Sequence, residues 1–110
     1  EGSALMGQGF ALSEEMIYRD GRVLTRSLSE YLIPTAEDVP EIQAIVLESR
    51  SGLGPFGAKG MGEPAFAPVA ASIANAIADA IGVRIRDLPI TPEKVILALK
   101  QERETASRRR

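Results

Sequence analysis

An α+β fold of three helices, a hairpin and short strands is what this sequence predicts. Three observations carry it. Apolar residues recur at helical spacing in three separate stretches, near the start, over Ala65–Ile81 and after Thr91. An Asp20-Gly21 pair lies between two short runs, a strong hairpin signal because both central residues of a type I′ turn need positive φ. The apolar run Ile42–Leu47 has the length and composition of a mostly buried strand within Glu41–Glu48.

The first helix is predicted over about Gly2–Ile17, with Leu5, Leu12 and Met16 on one face and Phe10 and Ile17 beside it. Gly7-Gln8-Gly9 lies inside it. Such glycines weaken a helix, and they allow either a second helix or a ligand to approach beside Gln8. Past the hairpin, the chain reads as extended to Pro34 and as loop over Asp38–Pro40. Glycines at 52, 54, 57, 60 and 62 then form a loop ending at Glu63. Pro64 suits the first position of a helix running through Ala65–Ile81, with Gly82 as its stop. That helix is apolar except for a narrow stripe of Pro68, Ser72, Asn75 and Asp79, so it is expected to be buried on most sides inside something larger. Its alanine content, early prolines and Asp79 argue against a membrane span. Arg84–Leu88 reads as a short strand, and Thr91-Pro92-Glu93 as the cap and first turn of the last helix. Two regions are expected: 1–103, a folded portion, and 104–110, a disordered basic tail.

Composition narrows the chemistry. The chain has 110 residues, enough for one small domain. Its formal charge of -2 and 5% aromatic content give no field or stacking platform for nucleic acid. With no histidine and no cysteine, it can build no zinc finger, thiol nucleophile, iron–sulfur ligand set or Ser-His-Asp triad. Protons must be handled by carboxylates, lysine or tyrosine, and no metal ligand is assigned. The opening Glu1-Gly-Ser has neither an initiator methionine nor a signal peptide, which reads as a piece of a longer protein. Absence of cysteine fits the cytoplasm.

Gly52-Leu-Gly54-Pro-Phe-Gly57 matches the dinucleotide pattern, but Pro55 lies inside it and no helix opens there to hold a pyrophosphate. A P-loop fails as well, since glycine follows Lys59 where Ser or Thr should bind magnesium. Glu63 precedes a proline, which places it in extended backbone just outside a helix. It is either a plain helix cap or a general base held between the helix dipole and apolar surroundings. Tyr31, Phe56 and Met61 either touch a ligand or only pack, and packing is the favoured reading.

Five blocks occur in order: Gly7-Gln8-Gly9-Phe-Ala-Leu-Ser-Glu-Glu15, Tyr31-Leu-Ile-Pro-Thr35, Gly57-Ala-Lys-Gly-Met-Gly-Glu-Pro64, Ala70-Ala-Ser-Ile-Ala74 and Thr91-Pro-Glu-Lys-Val95. Together they resemble the C-terminal part of the molybdopterin-binding subunit of the xanthine dehydrogenase and aldehyde oxidase family. The resemblance runs from Glu1 to about Lys100, and the Gly-x-Gly-Glu block is its most specific part. It implies that the chain is a fragment of a larger molybdenum-binding domain. It also implies an oxidoreductase that hydroxylates an aldehyde or N-heterocycle with oxygen from water. Glu63 would be the catalytic base, with Gln8, Lys59, Gly60 and Gly62 beside the cofactor. The cofactor implied is molybdopterin, plain or as the cytosine dinucleotide. Implied partners are the remainder of the molybdenum subunit, iron–sulfur clusters and FAD on other domains or subunits, and a small-molecule substrate. Neither nucleic acid nor membrane is implied. The isolated chain is expected to be inactive. The competing reading is a non-catalytic association module of a larger complex.

Overall fold

The computed structural model describes residues 1–49 and 52–108. Its elements, in chain order, are α1 (Gly2–Leu12), a two-stranded hairpin of β1 (Tyr18–Arg19) and β2 (Arg22–Val23), α2 (Val69–Ile81) and α3 (Pro92–Arg108). Short 3-10 turns at Ala36–Asp38 and Pro55–Gly57 lie between the hairpin and α2. The α+β class with three helices and a hairpin holds.

The fold is organised by α1 against α2. Gly7, Gly9 and Ala11 are the buried residues of α1. Gly7 faces Val69, where an added Cβ would stand 2.6 Å from the valine Cβ. The Phe10 and Phe66 rings meet with centroids 5.8 Å apart, within the range of favourable tilted aromatic pairs. Ala11, fully buried, accepts the Ile90 N–H at 2.7 Å, and Ile90 is itself buried. This bond ties the segment before α3 to the end of α1.

The hairpin forms as its sequence dictates. Tyr18 pairs with Val23 and Arg19 with Arg22, and the turn residues Asp20 and Gly21 have φ of 50° and 76°. Below it, the Thr25 hydroxyl oxygen accepts the Ile17 N–H at 2.8 Å and donates to the Glu15 carbonyl at 3.3 Å. Thr25 is a buried polar group with both roles satisfied.

Five sequence expectations need correction. The first helix stops at Leu12 rather than Ile17, because Ser13 and Glu14 both donate their N–H to the Gly9 carbonyl and the Ser13 hydroxyl turns to the Leu32 carbonyl. The second helix begins at Val69, not at Pro64. Residues 64–68 are turns, since Pro68 lacks an N–H and drives the residue before it out of helical conformation. Residues 41–48 form no strand, having no neighbouring strand among the described residues, and all but Ile42 are exposed. Arg84–Leu88 likewise forms no strand. The last helix continues through Arg108, so 104–108 are exposed helix where a disordered tail was expected; Arg109 and Arg110 lie outside the described residues. Gly82 does end α2, at φ 72° with its N–H on the Ala78 carbonyl. Thr91 does open α3, accepting the Lys94 N–H at 3.4 Å.

The surface is far larger than a closed domain needs. It measures 9253 Å², against roughly 5,900 Å² expected for a folded monomer of this mass. The radius of gyration is 18.5 Å, against about 13 Å for a compact chain of this length. No residue of α2 is fully buried. No described helix is long and apolar enough to cross a membrane.

Candidate functional site

Gln8 lies on α1 between two glycines whose positions are demanded by packing. A Cβ at Gly9 would meet the Glu14 carboxylate and come within 2.7 Å of Pro34 Cδ, just as one at Gly7 would strike Val69. The helix–helix reading is therefore satisfied at Gly7, while Gly9 is closed against the loop residues Glu14 and Pro34. The Gln8 amide is left half-buried, donating from Nε2 to the Asp38 carbonyl at 2.9 Å. It lines a cavity of about 330 Å³ with Leu12, Ser13, Leu32, Ile33, Pro34, Thr35 and Asp38.

The cavity is mainly apolar, with Gln8, Ser13, Thr35 and Asp38 as its polar residues. Asp38 Oδ2 accepts the Thr35 N–H and hydroxyl, each at 2.8 Å. The Thr35 N–H bond, followed by the hydroxyl bond, holds the Asp38 carboxyl below its ordinary pKa. Tyr31 donates its hydroxyl to Glu14 Oε2 at 2.8 Å. That bond, with lesser contributions from desolvation and the carboxylate charge, raises the tyrosine pKa. Sequence reasoning singled out neither Glu14 nor Asp38: the partner of Glu14 lies 17 residues away with no periodic pattern to link them, whereas Asp38 carries a local signal, the Thr35-x-x-Asp38 capping box.

The glycine loop divides into two parts. A Cβ at Gly52 would collide with the Gly57 carbonyl, and one at Gly54 with the Ala58 carbonyl. Gly57 itself has φ 77°. These three glycines are required by the turn. A Cβ added at Gly60 or Gly62 would meet nothing within 4 Å and neither has positive φ, so no contact among the described residues explains them. Lys59 hydrogen-bonds to the Ser49 hydroxyl and lines an open cavity of about 720 Å³ with Val46, Leu47, Phe56, Met61 and others. Phe56, at φ 56°, and Met61 are exposed rather than packed.

Glu63 is exposed and lies in a bend six residues before α2. It is neither a helix cap nor buried against an apolar helix; its carbonyl accepts the Phe66 N–H at 2.9 Å. The Gln8 cavity includes none of Lys59, Gly60, Gly62 or Glu63. Lys59 lines a different cavity from Gln8, while Phe66, bonded to the Glu63 carbonyl, touches Phe10 of α1. Among the described residues, no group of three histidines, cysteines or carboxylates could hold a metal ion.

Residues 1–40 match the sequence model of a molybdopterin cofactor-binding domain. The chain is 45% identical over 98 residues to the 6-hydroxypseudooxynicotine dehydrogenase complex subunit gamma of Paenarthrobacter nicotinovorans, covering 86% of this chain and 12% of that protein. It is 41% identical over 92 residues to the xanthine dehydrogenase molybdenum-binding subunit of Escherichia coli O157:H7, covering 82% and 12%. The crystal structure of quinoline 2-oxidoreductase from Pseudomonas putida 86 superposes with a TM-score of 0.82 at 40% identity, over 90% of this chain and 13% of that one. The chain belongs to the xanthine dehydrogenase and aldehyde oxidase family of molybdopterin-binding subunits. It spans about an eighth of the length of the relatives it matches.

The residues present fit a molybdopterin group. Gln8 offers a side-chain amide, and the backbone at Gly60 and Gly62 is open to close approach by another molecule. Cofactor sulfurs rather than protein side chains would hold the metal, which suits a chain without histidine or cysteine.

Proposed function

We propose that this chain is part of a molybdenum-dependent hydroxylase acting on an aldehyde or N-heterocycle, and that Glu63 is its general base. The observation that carries the reading is the division of the glycine loop. Three glycines serve the turn, while Gly60 and Gly62, immediately before Glu63, stand open. A glycine that no contact among the described residues requires, beside an exposed carboxylate, suits a backbone approached by a ligand.

When bound, molybdopterin, plain or as its cytosine dinucleotide, would supply the redox chemistry; the polypeptide places it and manages protons. The Gln8 amide is oriented by its bond to Asp38 and would hold the cofactor through its remaining donor and acceptor. Lys59 is drawn toward Ser49, leaving the Gly60 and Gly62 backbone as the cofactor-facing edge. The Glu63 carboxylate would take a proton at one oxygen as the water-derived oxygen reaches the substrate. Docking of the remaining subunit would exclude water from the loop. Iron–sulfur and FAD partners would carry the electrons away.

Glu63→Gln in the complete molybdenum subunit tests this. Turnover is expected to fall by about 10² to 10⁴ with molybdenum content unchanged. Near-normal turnover at full molybdenum loading would refute the role. The association-module alternative rests on the large exposed apolar surface; it predicts a native complex of the right mass that contains no molybdenum.

A further inference from the structure

Residues 41–48 have the composition of a strand and none of its partners. Alternation puts Ile42, Ala44 and Val46 on one face and Gln43, Ile45 and Leu47 on the other. A strand that carries large apolar side chains on both faces is one covered on both faces. Here Ile45, Val46 and Leu47 are 72%, 71% and 84% exposed. No backbone hydrogen bond joins residues 41–48 to another described residue.

These facts constrain one another. Covering the side chains on both faces removes the backbone from water as well. Its N–H and C=O groups must then find partners, because a buried unpaired peptide group is strongly unfavourable. A ladder on each edge satisfies both requirements along the whole segment. Resting on the reading of the chain as part of a molybdenum subunit, we infer that residues 41–48 become a central strand of a sheet whose flanking strands lie in the remainder of that subunit.

The occupant follows from size and geometry. About seven-eighths of the length of the relatives lies outside the part this chain matches, so ample polypeptide is there to supply the flanking strands and covering layers. A second copy of this chain would not suffice. Pairing two such strands satisfies one edge of each and leaves the other edge bare.

Amide hydrogen exchange of residues 43–47 tests the inference, comparing the complete molybdenum subunit with the 110-residue chain. Exchange is expected to be slower in the complete subunit by about a hundredfold or more. Ile45→Pro, which removes one ladder donor, is expected to prevent stable association with the rest of the subunit or to abolish the protection. Ile45→Val, which keeps the N–H and the β-branched shape, is expected to retain both. Rapid exchange at 43–47 in the complete subunit overturns the inference. Equal protection in the isolated chain, with a dimeric native mass, assigns the edge to a second copy and also overturns it. Molybdenum content separates this outcome from the functional reading. Protected amides without molybdenum support the strand against the enzyme, and unprotected amides with full molybdenum do the reverse.

Discussion

Gly7→Ala is the sharpest test of what holds the two main helices together. The new Cβ would stand 2.6 Å from Val69 Cβ and 3.0 Å from each of its γ carbons. Carbon atoms in good contact sit about 3.5–4.0 Å apart, so the helices must separate by close to 1 Å or Val69 must move with its backbone. Overpacking of this kind costs about 1–3 kcal/mol. A Cβ–Cβ approach this short belongs at the upper end, near 3 kcal/mol. Alanine is about 1 kcal/mol better than glycine inside a helix. The net is about 2 kcal/mol of local destabilisation, or roughly thirtyfold faster opening. Native-state hydrogen exchange in the complete subunit reads this directly at the buried amides of α1. Val69→Ala in the same background removes the two γ carbons but not the Cβ, so it should restore only part of the protection. Unchanged exchange in Gly7→Ala would show that α1 does not pack on α2 as described.

Gly62→Ala, which meets nothing within 4 Å, should leave exchange in α1 and α2 unaltered while lowering molybdenum content or turnover of the complete subunit; wild-type values for both would remove the loop from the cofactor site. Thr25→Val leaves the Ile17 N–H without its acceptor and should destabilise the base of the hairpin by about 1–3 kcal/mol, measured as faster exchange at Ile17. The raised Tyr31 pKa means its bond to Glu14 contributes stability that is fully present below pH 10 and lost as pH rises through the higher folded value. An ultraviolet titration should show one of the two tyrosines ionising late, and Tyr31→Phe should remove that component. The lowered Asp38 pKa works in the opposite sense. Its stabilisation of the 35–38 turn is present above 3.8 and fades as pH falls through the lower folded value, which exchange at Thr35 would follow. Purified alone, the 110-residue chain should contain no molybdenum, and a stoichiometric amount by elemental analysis would contradict the need for the rest of the subunit.

Local chemistry made some elements legible in the residues themselves. Asp20-Gly21 dictates its turn because few other pairs accept two positive φ angles, and Gly82 and Thr91 mark helix ends for equally local reasons. The absence of histidine and cysteine removed whole classes of chemistry before any coordinates. The order of five sequence blocks pointed to the molybdopterin-binding family, which the comparisons then showed. What only the tertiary structure decided was what each glycine is for. Gly7 and Gly9 look like Gly60 and Gly62 in the sequence, yet the first pair is pressed against Val69 and Pro34 while the second faces open space. That distinction depends on atoms more than twenty residues away, beyond the reach of any local pattern. The same holds for Ile42–Leu47: its strand composition is local, but a strand exists only where a neighbour completes its hydrogen bonds.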